Sequence, residues 1–254
     1  MFNVSCIQLT SDNNVFSNLE KTTDLIIGSI KKKADLIITP ENTSLFTFDH
    51  SELLEKAEEM NNNFFLESVS RISKSYKKWI LIGSLPIKLS KKLLANRSVL
   101  FNPNGKIANY YDKIHMFDVK LSNKEKYEES KKFLAGKKKV LTKLPWGLLG
   151  FTICYDVRFP NLYRELAKKG AIFMSVPSAF TKTTGEKHWH TLLKARAIEN
   201  FSYIFAAAQT GKHYNDRLTY GHSLIISPDG KILKEKENLI SHFEKSRNIF
   251  YIIF

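Results

Sequence analysis

Along the first third of the chain, short apolar runs alternate with stretches of helical periodicity, and that alternation limits the fold more than any other feature. Residues 2–9, 35–39 and 79–84 read as strands, the last of them a continuous apolar run. Between them, residues 18–33 place Leu19, Leu25, Ile26 and Ile30 on one helix face, and residues 53–76 read as a second helix. Strand, helix, strand, helix, strand predicts an α/β sandwich. Residues 98–101 and 107–111 flank Asn102-Pro103-Asn104-Gly105, a hairpin turn, so antiparallel strands are expected within mixed sheets.

The second half continues in the same way. Residues 162–169 and 186–200 are helical in pattern, and residues 171–176, 203–208 and 220–226 read as strands. Ser227-Pro228-Asp229-Gly230 turns into a last short strand at 231–233. Residues 113–138 are polar, aperiodic and longer than an ordinary connection, which marks them as a candidate functional loop. Nothing in the 254 residues breaks cleanly in two, and no linker or repeat is visible, so a single domain is expected.

A net charge of +14 invites a nucleic-acid reading. The lysines are spread over many segments, however, and the dense stretch from Lys120 to Lys143 is interrupted by Glu125, Glu128 and Glu129. No basic residues in step with aromatics suggest an RNA-binding sheet, so a solvated lysine surface is expected, with no nucleic-acid partner. No apolar stretch is long enough to cross a bilayer, and residues 1–9 lack the basic start and length of an export signal. The expectation is a reduced, cytoplasmic setting for the two cysteines, Cys6 and Cys154.

Cys154 ends the apolar run Leu148-Leu149-Gly150-Phe151-Thr152-Ile153 and is followed by Tyr155-Asp156-Val157-Arg158-Phe159-Pro160 and a helical pattern. A strand-to-helix turn exposes a thiol beside backbone N–H groups, which suits a nucleophile. Such a nucleophile needs a base and a donor for the oxyanion it creates. Glu41 closes one strand and Lys113 follows another, and the strand ends of α/β sheets are where sites collect. Taken singly, each has a structural reading: a buried cysteine packs, Glu41 caps a strand end, and Lys113 pairs with Asp112. Cys6, inside an apolar strand, is read as packing. Zinc is not expected, because His188 and His190, two apart on a helix, diverge and have no cysteine pair beside them.

Three segments together, Pro40-Glu41-Asn42, Tyr111-Asp112-Lys113-Ile114-His115-Met116-Phe117-Asp118 and Ile153-Cys154-Tyr155-Asp156-Val157-Arg158-Phe159-Pro160, resemble the catalytic signatures of the nitrilase superfamily of carbon–nitrogen hydrolases, in the family's order. The resemblance extends from residue 1 to about 233 and includes Ser178-Ala179-Phe180-Thr181, the run from Lys194 to Asn200 and Tyr220-Gly221-His222-Ser223. It implies a four-layer α-β-β-α sandwich that dimerises, and a cofactor-free amidase with Glu41 as base, Lys113 as oxyanion donor and Cys154 as nucleophile. The Tyr155 N–H would be the second oxyanion donor. Glu129 resembles the family's second glutamate, with Glu128 as the competing register. Burial is expected to raise the Glu41 pKa and strengthen it as a base.

Arg158, at the start of a helix, is a candidate clamp for a substrate carboxylate; a salt bridge to Asp156 or Glu165 stands as the alternative. Thr181 is a further pocket candidate. The segments around Lys113 and Cys154 most resemble the branch of deaminated-glutathione amidases and ω-amidases, which implies a small carboxylate-bearing amide as substrate. A catalytically impaired binding protein of the same fold is the reading from another class. Residues 238–254 do not match the family's tail, although 249–254 read as a strand.

Overall fold

The computed structural model describes residues 2–120, 126–214, 216–236 and, as backbone, 249–253. The first half runs β1 (Asn3–Ile7), α1 (Val15–Lys31), β2 (Leu36–Ile38), α2 (His50–Lys56), α3 (Phe64–Tyr76), β3 (Trp79–Lys88), β4 (Leu94–Phe101) and β5 (Ile107–Asp112). A small ribbon, β6 (Asp118–Lys120) and β7 (Lys126–Glu128), leads into β8 (Leu141–Leu144), β9 (Gly147–Phe151), α4 (Pro160–Lys168), β10 (Ala171–Ser175) and α5 (Lys182–Asn200). Then come β11 (Tyr203–Ala206), a second ribbon of β12 (Thr210–Lys212) and β13 (Leu218–Tyr220), β14 (Leu224–Ile226), β15 (Ile232–Glu235) and β16 (Ile249–Ile253).

Two six-stranded mixed sheets result, in the orders β16-β1-β2-β3-β4-β5 and β15-β14-β11-β10-β9-β8. Within the first, β1, β2 and β3 are parallel, while β4, β5 and β16 join antiparallel. Alternation along the strands sorts their side chains into layers. Val4, Cys6, Leu36, Ile38 and Leu81 face Phe151, Phe173 and Phe205 of the second sheet, whereas Ile37, Ile80 and Ile82 pack with Ile26 of α1 and Phe65 and Val69 of α3. Leu162 and Leu166 of α4 and Trp189 and Leu193 of α5 join the core from the other side. Each fully buried aliphatic or aromatic side chain contributes about 1.5–3 kcal/mol. The layers are α-β-β-α, as the resemblance implied.

Several element boundaries differ from expectation, three of them for a clear local reason. The single helix over 53–76 is two. Asn63 accepts a hydrogen bond from the Leu66 N–H and starts α3 afresh, while Glu58 spends its backbone on the sheet edge, its carbonyl accepting from Lys88 N–H. The strand over 220–226 is broken by Gly221 and His222, both with positive φ, 71° and 52°. Helix α5 begins at Lys182 rather than 186, because Thr181 caps it through the Thr184 N–H. At the C-terminal end, residues 249–253 form a strand paired antiparallel with β1, so that the edge of β1 is covered by the chain itself. The other residues of the atypical segment, 238–248 and 254, lie outside the described residues.

Candidate active site

Cys154 sits just past the end of β9 with φ 46°, a left-handed backbone that costs a non-glycine residue about 1 kcal/mol or more. The turn is held by its own next residues. The buried Asp156 carboxylate accepts from Ile153 N–H at 2.8 Å and Tyr111 O–H at 2.7 Å, and from His115 N–H at 3.1 Å with its Nδ1 at 2.6 Å. Tyr111 and His115 flank Lys113, so a single carboxylate ties the lysine segment to the cysteine turn. Cys154 N–H donates to Pro177 O, and the Tyr155 N–H has no acceptor among the described residues.

Two glycines let the other side chains come close. A Cβ on Gly83, at the irregularity of β3, would lie 2.0 Å from Thr39 O and 2.4 Å from Pro40 O, so only glycine lets β3 approach the strand end that carries Glu41. A Cβ on Gly136 would lie 2.1 Å from Asp112 O; this residue's N–H holds the Lys113 carbonyl at 2.8 Å. Lys113 Nζ then donates to Glu41 Oε1 at 2.8 Å and to both oxygens of Glu129 at 3.0 and 2.8 Å. Glu41 Oε2 accepts from Ala179 N–H at 2.9 Å, and Glu129 Oε2 from Phe117 N–H at 2.7 Å. Lys113 is 2 % exposed and Glu41 3 %, so these charges stand in a low-dielectric interior and depend on one another. Glu128, the competing register, turns outward to Lys126 and Lys131.

Burial pushes the Cys154 thiol up, and the Glu41 charge adds to this, while Lys113 opposes it. The resting sulfur is therefore a thiol beside the Glu41 carboxylate. Burial, the largest influence, pushes the Glu41 carboxyl up, but the charge and hydrogen bond of Lys113, with smaller help from Cys154 and the Arg217 charge, together hold it below its ordinary value. The expected rise is thus reversed: desolvation is the largest single influence, but the charges and hydrogen bonds around the carboxylate together exceed it. Burial favours a neutral Lys113, yet Glu129 and Glu41 on either side push its pKa above the ordinary lysine value, so it stays an ammonium.

These groups open on a cavity of about 550 Å³, walled by Phe48, Phe117, Tyr127 and Phe180 and reached by Lys132, Arg158 and Arg217. That volume suits a small molecule. Arg158 is not paired with Asp156, which is committed elsewhere, nor with Glu165, which faces Lys139 and Lys168. Its Nη2 lies 3.2 Å from His188 Nδ1 and its guanidinium 5.5 Å from the Phe180 ring, with no carboxylate in ion-pair range among the described residues. It precedes α4 rather than starting it, since Pro160 is that helix's first residue. Thr181 lines the cavity, but its hydroxyl is engaged with Thr184. His188 and His190 do diverge, one to Arg158 and the other to Glu235.

The family model described as carbon-nitrogen hydrolase matches residues 3–240. A deaminated glutathione amidase of Yersinia enterocolitica is 39 % identical over 242 residues, covering 94 % of this chain and 84 % of that protein. The omega-amidase NIT3 of Saccharomyces cerevisiae is 33 % identical, with 91 % and 82 % covered. The crystal structure of Saccharomyces cerevisiae Nit3, a member of branch 10 of the nitrilase superfamily, superposes with a TM-score of 0.85 at 26 % identity, covering 99 % of this chain and 89 % of that one. The chain belongs to the carbon–nitrogen hydrolase family.

In this carbon–nitrogen hydrolase the structure brings Glu41, Lys113, Glu129 and Cys154 to one point, and sets Arg158 and Thr181 on the same cavity wall. Sequence reasoning missed Asn96, whose Nδ2 bridges the two carboxylates at 3.1 and 3.0 Å, and whose carbonyl accepts from Lys113 N–H. Its one signal was a polar Asn-Arg-Ser run inside the buried strand β4. Asp156 and Arg217 were also missed as organisers. Arg217 donates to Ala179 O and lies over the Phe48 and Tyr127 rings, contacts that arise only from folding. No described helix is long and apolar enough to cross a membrane.

Proposed function

We propose that this hydrolase, acting as one domain of 254 residues, is an amidase that cleaves a small carboxylate-bearing amide of the deaminated-glutathione type through a Cys154 thioester. The observation that carries the reading is the buried Lys113 ammonium clasped by Glu41 and Glu129 beside a protonated thiol. Because no thiolate is preformed, Cys154 attacks the amide carbon as Glu41 takes the thiol proton. Charge that develops on the carbonyl oxygen is met by Lys113 and the Tyr155 N–H. Collapse breaks the carbon–nitrogen bond, and Glu41 passes its proton to the departing nitrogen, leaving the thioester. Water then attacks, Glu41 again takes the proton, and a second collapse restores the thiol and frees the carboxylic acid. Glu129 holds Lys113 in place and keeps it charged.

Arg158 supports the substrate class, because a guanidinium at a cavity wall without a protein carboxylate suits a bidentate carboxylate partner. Thr181 shapes the wall while it caps α5. The names of the relatives point to deaminated glutathione first and to an ω-amide second; the resemblance to ω-amidases makes that second substrate a monoamide of a 2-oxo dicarboxylic acid. A homodimer in the cytoplasm is part of the proposal; Ile198 and Phe201, 51 % and 81 % exposed at the end of α5, support the dimer alone. Amine or ammonia release from deaminated glutathione and from the monoamide of 2-oxoglutarate, with Cys154→Ala as control, tests the function; turnover surviving that substitution overturns the mechanism. Light scattering tests the dimer, and a monomer at micromolar concentration overturns it.

A further inference from the structure

Away from the cavity, α5 carries a second cluster of chemistry-bearing side chains. His190 Nε2 lies 2.8 Å from Glu235 Oε1, and His222 Nδ1 lies 2.6 Å from the same oxygen. The three donor atoms all fall within 4.8 Å of one another. They come from three places: the middle of α5, the turn between β13 and β14, and the last residue of β15.

We propose that His190, His222 and Glu235 form a binding site for a divalent transition-metal ion of the zinc class. Two imidazole nitrogens and one carboxylate oxygen are the donors such an ion prefers, with solvent completing its coordination. The rings meet at 73°, so their nitrogens converge on the shared oxygen from two directions rather than stacking. Tetrahedral ligands at about 2.0–2.2 Å from a metal lie roughly 3.4 Å apart, so each histidine needs to move from the Glu235 oxygen by less than about 1 Å. As ligands, both rings must carry their proton on the other nitrogen. Neither of those nitrogens is buried without a partner, so water can accept that proton.

The positions are set before any ion arrives. His222 has a left-handed backbone, its carbonyl accepts from Trp189 Nε1 at 2.8 Å, and its ring stacks on Tyr220 at 4.3 Å. Glu235 is fixed by the β14–β15 ladder, where it pairs with Leu224, and by Lys236 N–H donating to Ser223 O. The three side chains are 21 to 29 % exposed, which leaves an entry path. An ion here would staple β15 to α5. Trp189, next to His190, packs on Phe180 of the cavity wall at 4.8 Å, so the staple bears on the helix that frames the site.

The test uses the full chain carrying Cys154→Ala, which removes the competing thiol, after treatment with a chelator. Calorimetric titration with zinc chloride is expected to give one ion per chain, and Tm is expected to rise with zinc. His222→Asn, chosen because asparagine tolerates the left-handed backbone, and Glu235→Gln are each expected to weaken binding at least about tenfold. The Tm of each ion-free variant checks its fold, and His190→Gln provides a third variant that leaves the turn untouched. Absence of stoichiometric uptake, or uptake that survives these substitutions, overturns the site and leaves a hydrogen-bonded His-Glu-His latch. Turnover of amides is read separately, so either proposal can fail alone.

Discussion

Cys6 and Cys154 begin from similar positions and end with different chemistry. Both belong to the core between the two sheets, and in both burial pushes the thiol well above its ordinary pKa. Cys6 lies inside β1 with a strand on each side, paired with Ile38 of β2 and Phe250 of β16. Cys154 has just left β9, its backbone is left-handed, and it faces Glu41, Lys113 and an open cavity. In the proposed reaction, reactivity does not come from a thiolate waiting at rest. It comes from neighbours placed to take the proton and meet the new charge, and a position inside a strand ladder offers neither.

The largest expected effect breaks the comparison outright if it fails. Cys154→Ala should lower amide turnover by on the order of 10⁴-fold or more, whereas Cys6→Ala should keep kcat within a few fold of the parent, both read as product release. Next, Lys113→Met leaves Glu41 and Glu129 buried without their shared cation. It should abolish turnover and cost about 3–5 kcal/mol of stability in a urea titration; a variant as stable as the parent would show that the clasp does not hold the site together.

His213 extends the Cys6 side, since burial, the largest influence, pushes its pKa down to about 4 from 6.5. Its Nδ1 meets Ser11 O at 2.7 Å, so that nitrogen donates, and its Nε2 accepts from Thr219 O–H at 2.7 Å. The folded state holds this ring neutral while the unfolded chain takes up a proton below pH 6.5. Stability from this residue is therefore full above that pH and is lost as pH falls towards 4, by about 3 kcal/mol in all. His213→Gln should flatten the stability profile across that window, and an unchanged slope refutes the assignment.

Two smaller effects sharpen the contrast. Iodoacetamide should label Cys154 at least about tenfold faster than Cys6 in the native protein, because only Cys154 has a base and an opening; equal rates by peptide mapping count against the proposed base. Cys6→Ala should cost about 1 kcal/mol, as a small buried side chain whose loss leaves a small cavity.

Much of this was legible in the residues. The strands at 35–39 and 79–84 were clear because parallel strands buried on both faces are continuously apolar. Glu41 and Cys154 could be found because each follows a buried apolar strand, and Lys113 because it follows the second strand of a hairpin, all three within segments that resemble family signatures. The break between α2 and α3 was not legible, because Leu53, Phe65, Leu66 and Val69 keep an apolar rhythm through it. Only the sheet-edge bonds of Glu58 and the Asn63 cap interrupt the helix. Asn96, first of a polar Asn-Arg-Ser run in a buried strand, gave no hint of which two carboxylates it would join. The sign of the Glu41 shift was equally out of reach, since it depends on a lysine 72 positions away at 2.8 Å.

By itself, the sequence determined the alternation of strands and helices and the mixed sheets, and it singled out Cys154 as the proposed nucleophile. Hydrophobic period and turn chemistry are local, and local patterns are written in adjacent residues. Only the tertiary structure decided that Glu41 and Glu129 share one lysine, that Asp156 ties the lysine segment to the cysteine turn, and that His190 meets Glu235 rather than His188. Those are matters of distance between remote segments, and the strength of a buried charge or donor depends on what stands within a few ångströms of it.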